Sequence, residues 1–205
     1  MVIRGLYLFL LGLIISCSPK IHVDLLIKNA SIISLESGEA IQSQVILING
    51  GRIFTTGGDS LLLQFKGKTE IDAHSAFVLP GLWDNHVHFG GAEYIDENEQ
   101  LLPLYLAFGV TSVRDAAGDI PLEVLKWRDQ IANGNRIGPR IFTSGPKIEG
   151  INSIWPGDLE IGSEEELDRA LDSLEKLKVD FVKITDNALS AELFLSATQK
   201  AHSRG

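Results

Sequence analysis

Cysteine is nearly absent from this chain, since Cys17 is the only one among 205 residues. A single cysteine cannot form an internal disulfide, so a disulfide-stapled fold is excluded. An excess of basic residues is also missing, because 18 Lys and Arg stand against 27 Asp and Glu, for a formal net charge of -9. This balance argues against a nucleic-acid binder, which would carry a basic patch or stripe.

A hydrophobic run long enough to span a bilayer is lacking at the N-terminus as well. The apolar segment 6–15 has about half of the ~20 residues that a transmembrane helix needs. With Arg4 before it, the segment is typical of a secretory signal peptide, predicted over residues 1–16. It ends in Ile14-Ile15-Ser16-Cys17, which resembles a bacterial lipobox.

In a lipobox, the signal peptide is cut before a cysteine that becomes the lipid anchor. We therefore expect a mature protein that is anchored to the membrane through Cys17 and lies in the cell envelope, at the outer membrane and facing the periplasm. A plain signal peptide with a chance cysteine is the alternative.

Residues 17–79 and residues 80–205 show two different patterns, which predicts two domains. In the first, six or so short strand-like runs occur without a helix, which predicts a small β-sandwich-like domain. The strongest local signal is the hairpin turn Asn49-Gly50-Gly51 between two hydrophobic runs. The runs that flank turn residues in this part are residues 23–27 and 31–35, around Asn29-Ala30, and residues 45–48 and 52–55.

After Pro80, strand-like runs alternate with helical ones, which predicts an α/β domain of four βα units on a parallel sheet. The third helix begins with a capping box formed by Ser163 and Glu166. The loop 145–162 is long enough to be a functional lid, or else a disordered insert. The strand and helix of each unit are residues 82–88 and 100–108, 110–114 and 121–133, 140–143 and 163–177, and 181–184 and 190–203.

The first of these strands ends in two histidines, His86 and His88, within PGLWDNHVH at 80–88. Side chains two residues apart on a strand point to the same face, so the two imidazoles can converge on one metal ion. The turn at Pro80-Gly81 starts the strand, which puts the histidines at its C-terminal end, where α/β barrels build active sites. Ordinary surface or buried histidines are the alternative.

Lys183 lies in the apolar run Phe181-Val182-Lys183-Ile184, where a charged lysine is costly to bury. A neutral lysine can take up carbon dioxide and become a carbamate, an anionic ligand able to bridge two metal ions. A lysine at a strand end whose ammonium group reaches solvent is the alternative.

Taken together, four segments resemble the amidohydrolase superfamily, and in particular its imidazolonepropionase-like and Xaa-Pro dipeptidase-like branch. The segments are PGLWDNHVH at 80–88, GVTSVRD at 109–115, GPRIFTSG at 138–145 and VDFVKI at 179–184. The resemblance implies a (βα)8 TIM-type barrel, of which about four βα units are present, in the N-terminal half of a metal-dependent hydrolase.

The same resemblance implies roles for individual residues. His86 and His88 would bind the more buried metal ion, and Lys183 would be the carbamate ligand. Asp84 has the parity of the histidines and is expected to point inward one layer deeper, as a hydrogen-bonding residue that shapes the barrel floor rather than as a ligand.

The implied activity is hydrolysis of a carbon-nitrogen bond in a small-molecule amide, cyclic amide or Xaa-Pro dipeptide. One or two divalent metal ions, with zinc expected first, would activate the attacking water. The family's later ligands and its catalytic aspartate would lie beyond Gly205, so we expect a fragment that is inactive alone. The rival is a half-barrel that completes itself as a homo-oligomer. A different function class is a non-catalytic, lipid-anchored remnant or binding module that keeps the barrel scaffold.

Overall fold

The structure is a computed structural model that describes residues 19–205; the predicted signal peptide and Cys17 lie outside these residues. The chain divides between Pro80 and Gly81 into two compact units. Among the described residues, no helix is both long and apolar enough to cross a membrane.

The first unit is built around one five-stranded mixed sheet with the order β3-β2-β1-β4, in which β5 also pairs with β1. The predicted hairpin is confirmed, since β2 and β3 are antiparallel around Gly50 and Gly51, both of which have positive φ. The elements are β1 (Ile21–Ile33), β2 (Ala40–Asn49), β3 (Arg52–Gly57), a four-residue helix α1 (Leu61–Gln64), β4 (Phe65–Asp72) and β5 (Phe77–Val78).

Two expectations for this unit differ from the structure. Asn29 does not lie in a turn between two strands but within β1, where its φ of 56° accompanies an irregular register with β2. Asparagine tolerates this left-handed backbone, so a bulge inside one strand satisfies the same sequence signal. The described residues form one sheet rather than a sandwich, and α1 packs Leu61 and Leu62 against its core.

The second unit has a parallel sheet with the order β6-β7-β8 and is mixed α/β, as predicted. Its first three strands and helices alternate in the predicted order. Its elements are β6 (Leu82–Val87), a 3-10 turn (Ala92–Tyr94), α2 (Ile95–Ala107), β7 (Val110–Asp115), α3 (Pro121–Ala132), β8 (Arg140–Thr143), β9 (Ile148–Gly150), β10 (Leu159–Ile161), α4 (Glu164–Leu177) and α5 (Ala191–Arg204).

Helix α4 begins where the capping box predicts. The Ser163 hydroxyl accepts a hydrogen bond from the backbone N–H of Glu166, and the Glu166 carboxylate accepts one from the backbone N–H of Gly162. The first bond satisfies an N–H group that a helix start leaves without a partner, and the second ties the residue before the cap to the first turn. One face of α4 then packs into a core with Ile148 of β9 and Ile161 of β10.

The segment 145–162, expected to be a long loop, contains a two-stranded parallel sheet of β9 and β10. The strand predicted over 181–184 is absent, because only Ile184 forms an isolated bridge, with Ile148 of β9. A regular ladder from β8 onward is interrupted by Gly145, whose φ is 59°, and by Pro146, which has no N–H to donate.

Candidate metal site

A β-bulge near the end of β6 sets the direction of the two histidines. Asp84 pairs with Val113 of β7, but the next pair joins Val87 to Asp115, so three steps along β6 match two along β7. The extra residue reverses the alternation of side chains along the strand. Val87 therefore packs into the core on the helix side, and His86 and His88 point to the other side.

The same bulge corrects the prediction for Asp84. Its partner Val113 is a core residue that packs with the helices, so Asp84 lies on the helix side of the sheet and does not share the direction of the histidines. The pKa of Tyr105 on α2 agrees with this placement, because burial raises it first and the nearby carboxylates of Asp84 and Asp115 raise it further. The expected hydrogen-bonding role has a counterpart, since Asp84 Oδ1 accepts the backbone N–H of His86 at 3.2 Å.

The two imidazoles converge. The Nε2 atoms of His86 and His88 lie 3.0 Å apart, which is close to the ~3.3 Å between two nitrogen ligands of a tetrahedral zinc ion. His88 Nδ1 lies 2.8 Å from the carbonyl oxygen of Ala117. A carbonyl can only accept, so Nδ1 carries a proton, and in the neutral ring this leaves the lone pair on Nε2, the atom that faces His86 and that a metal ion would require.

Asp115 supports the end of β6 from the neighbouring strand. This nearly fully buried carboxylate accepts the backbone N–H of Phe89 at 3.1 Å and the hydroxyl of Thr143 at 2.7 Å. Burial raises the pKa of Asp115, and the two hydrogen bonds oppose that shift. Because Phe89 directly follows His88, this carboxylate helps to fix the backbone that carries the histidine.

His86, His88 and Lys183 all line one cavity of about 650 Å³. Lys183 is half-buried at the cavity wall. This position lies between a lysine enclosed in an apolar interior and a lysine that extends into solvent. Trp155 of the segment between β9 and β10 forms part of the wall. Within residues 19–205, no three His, Cys, Asp or Glu side chains gather into a metal-binding cluster. Besides the two histidines and Lys183, the cavity lining holds three carboxylates, those of Glu93, Asp119 and Asp158.

A buried charged cluster beside the cavity was missed by the sequence analysis. Lys147 and Asp158 line the cavity, and the Lys147 ammonium lies 2.5 Å from Asp158 and 3.4 Å from Glu149. Glu149 is only 1% exposed. The sequence signal for this cluster is the pair of charged residues at alternate positions, 147 and 149, in a segment otherwise rich in glycine and isoleucine.

The environment of Glu149 strongly favours its charged form. Burial raises its pKa, but the hydroxyl of Thr185, the backbone N–H groups of Gly150 and Ala188, and the charge of Lys147 lower it to about 2. The positive charge of the Lys147 ammonium is balanced within the protein by the two carboxylates of Glu149 and Asp158.

The chain is similar in sequence and in fold to several proteins of known function or structure. No family model matches the chain. It is 26% identical over 134 residues to an adenine deaminase from Staphylothermus marinus, a match that covers 56% of this chain and 22% of the relative. It is 33% identical over 78 residues to an enamidase from Eubacterium barkeri, covering 37% of this chain and 20% of the relative.

Among solved structures, a protein from Bifidobacterium longum described as a prolidase is similar in fold. The TM-score is 0.73 at 24% identity, and the match covers 89% of this chain and 48% of that one. The chain thus spans less than half the length of each of these three proteins.

Proposed function

Because this chain belongs to the amidohydrolase superfamily, we propose that it forms part of a metal-dependent hydrolase that cleaves carbon-nitrogen bonds. The observation that carries the proposal is the convergence of the His86 and His88 Nε2 atoms, 3.0 Å apart, on the cavity that Lys183 also lines. The relatives named as an adenine deaminase and an enamidase support a carbon-nitrogen bond as the target. The substrate class we propose is a small amide, cyclic amide or Xaa-Pro dipeptide.

In this proposal, His86 and His88 hold a divalent metal ion, zinc being the first candidate. Such an ion lowers the pKa of a bound water toward neutrality and polarises a scissile carbonyl. The hydrogen bond from His88 Nδ1 to Ala117 fixes the ring so that Nε2 faces the cavity. Lys183, as a carbamate, supplies an anionic oxygen ligand.

Metal binding by the chain tests the proposal directly. We expect the chain, purified without chelator, to bind Co²⁺ with a visible ligand-field spectrum and a dissociation constant measurable by equilibrium dialysis. His86→Ala should weaken binding by at least tenfold, whereas His202→Ala, on α5 and outside the cavity lining, should leave it unchanged. Equal Co²⁺ binding in the two variants would contradict the assignment of His86 and would favour a binding module without metal chemistry.

The carbamate has its own signature. With ¹³C-labelled bicarbonate and metal present, we expect a ¹³C NMR signal of a lysine carbamate that disappears in Lys183→Ala. Lys176→Ala, an exposed lysine on α4, is the matched control and should retain the signal. A signal that survives in Lys183→Ala would refute the role of Lys183 while leaving the histidine assignment intact.

We also propose that the protein is anchored by a lipid on Cys17 and lies in the cell envelope, at the outer membrane and facing the periplasm. The support is the lipobox-like sequence before this cysteine. Radiolabelled palmitate should be incorporated into the protein in cells, and Cys17→Ser should abolish the label and release the protein from the membrane fraction. Retention of the label in Cys17→Ser would overturn this proposal.

A further inference from the structure

The segment that carries Lys183 has little backbone support. Two backbone hydrogen bonds join it to Ile148 of β9, one from the Ile148 N–H to the Lys183 carbonyl at 2.9 Å and one from the Thr185 N–H to the Ile148 carbonyl at 3.1 Å. A strand in the middle of a sheet would instead be held along its whole length by ladders. Something else must therefore fix residues 183–188.

The carboxylate of Glu149 supplies that support. It accepts hydrogen bonds from the hydroxyl of Thr185, from the side-chain amide of Asn187 at 3.1 Å and from the backbone N–H of Ala188 at 3.3 Å. We call Glu149 with these three partners the Glu149 clamp. Three of the four residues after Ile184 are thus held by one buried side chain.

The clamp acts from behind the cavity wall. Lys183, Thr185 and Asn187 line the cavity at every second position, whereas Glu149 is not among the lining residues. Contact between the two segments is close, because a Cβ added at Gly150 would lie 2.0 Å from the carbonyl oxygen of Ala188. A shift of Glu149 would therefore move the wall that presents Lys183.

The chemistry of the clamp requires a carboxylate. Each hydrogen-bond or ion-pair partner of Glu149 donates a hydrogen bond or carries positive charge, including the backbone N–H of Gly150 at 3.0 Å and the Lys147 ammonium at 3.4 Å. An ionised carboxylate only accepts and offers about four lone-pair sites. A glutamine of the same size would turn an N–H₂ group toward donors and leave part of the cluster unpaired.

We propose that Glu149 is a positioning residue that fixes Lys183 in the cavity by clamping Thr185, Asn187 and Ala188 in place of a strand ladder. The proposal rests on the proposed function in so far as Lys183 is a metal ligand. The placement of the Lys183 side chain can be tested without any metal.

The test follows the Lys183 side chain by NMR in chain labelled with [ε-¹³C]lysine, with the Lys183 signal assigned from Lys183→Arg. Glu149→Gln should shift or broaden that signal and leave the signals of Lys176 and Lys200 in place. Glu160→Gln is the matched control, because Glu160 is an exposed glutamate on the neighbouring β10 that bonds only the Ser153 backbone. An unchanged Lys183 signal in a folded Glu149→Gln variant would overturn the proposal.

A second pair of variants covers the case in which Glu149→Gln does not fold. Thr185→Val removes one donor of the clamp, so the Lys183 signal should move in this variant. Thr185→Ser keeps the hydroxyl, so the Lys183 signal should stay at its wild-type position. Equal effects of the two substitutions would overturn the clamp, since they would depend on side-chain shape rather than on the hydroxyl.

Co²⁺ affinity separates the two proposals. We expect Glu149→Gln to weaken Co²⁺ binding about tenfold, as is common when a residue that orients a ligand is lost. If the wild-type chain binds no Co²⁺ but the Lys183 signal moves, the metal site fails and the clamp stands. If Co²⁺ binding needs His86 but the Lys183 signal does not move in Glu149→Gln, the clamp fails and the metal site stands.

Discussion

Asp84 accepts a hydrogen bond from the backbone N–H of His86 at 3.2 Å, across the bulge that separates these two residues in the strand pairing. The bond gives the His86 N–H an acceptor within the irregular part of the strand pairing. Asp84 thus contributes to the direction of His86 while its own side chain lies on the opposite side of the sheet.

Asp84→Ala should therefore weaken both stability and metal binding. Loss of one hydrogen bond of this kind costs on the order of 1 kcal/mol of unfolding free energy. Asp84→Asn keeps an accepting oxygen and should remain close to the wild-type chain. Urea unfolding and Co²⁺ dialysis measure the two effects, and equal losses in Asp84→Ala and Asp84→Asn would contradict the role of the hydrogen bond.

The helix-side position of Asp84 has a separate consequence for Tyr105. Burial raises the pKa of this phenol, and the negative charges of Asp84 and Asp115 raise it further. Asp84→Asn removes one of these charges, so the pKa of Tyr105 should fall toward its usual value. Ultraviolet titration of the wild-type chain and of Asp84→Asn, with Tyr105→Phe to identify the signal, checks this. An unchanged titration would place Asp84 on the histidine side of the sheet.

The buried pair of Asp115 and Thr143 should be important for stability. The Thr143 hydroxyl donates to Asp115 at 2.7 Å and accepts the backbone N–H of Gly145 at 2.9 Å. Thr143→Val keeps the shape but leaves a buried carboxyl oxygen and a buried N–H without this partner, which should cost about 2–3 kcal/mol. Thr143→Ser keeps the hydroxyl and should cost much less in urea unfolding, and Thr111→Val, at an exposed position of β7, serves as the surface control.

Local signals in the sequence predicted most of the elements around the site. The hairpin at Gly50-Gly51 and the capping box at Ser163 depend on the conformations of a few adjacent residues, and the structure has both. The strand Arg140–Thr143 has the predicted bounds. The regular alternation after Pro80 was enough to predict the α/β unit.

Features that depend on pairing between distant segments could not be predicted in the same way. The bulge after Asp84 exists only in relation to β7, so strand parity gave Asp84 the wrong direction. The missing strand at 181–184 depends on Gly145 and Pro146 in the partner segment. The role of Glu149 depends on donors 36 to 39 residues later in the chain, and no local pattern indicates such contacts.

Glu149 should give the chain a specific dependence on acid. Its pKa is about 2 in the folded chain, against 4.5 for an unperturbed glutamate. The unfolded chain therefore takes up this proton first as the pH falls, so the contribution of Glu149 to stability is full above about pH 4.5 and is lost progressively toward pH 2.

Urea unfolding at several pH values between 6 and 2.5 measures this contribution. Other carboxylates also contribute to the acid dependence, so the informative quantity is the difference between the wild-type chain and Glu149→Gln. That difference should be largest near pH 6 and shrink as the pH falls. A constant difference across the range would mean that the ionisation of Glu149 does not stabilise the fold.

Gly150 should tolerate no side chain, because it lies where β9 meets the segment that follows Lys183. An added Cβ would lie 2.0 Å from the Ala188 carbonyl oxygen and 2.6 Å from the Leu189 backbone nitrogen, so backbone would have to move. Overpacking of this kind costs about 1–3 kcal/mol or more. Gly58→Ala is the matched control, since no atom lies within 4 Å of its added Cβ, and it should change stability by less than about 0.5 kcal/mol. Because the clash is with Ala188, Gly150→Ala should also move the Lys183 signal in the [ε-¹³C]lysine spectrum; a destabilised chain with an unmoved signal would show that the strain relaxes away from the cavity.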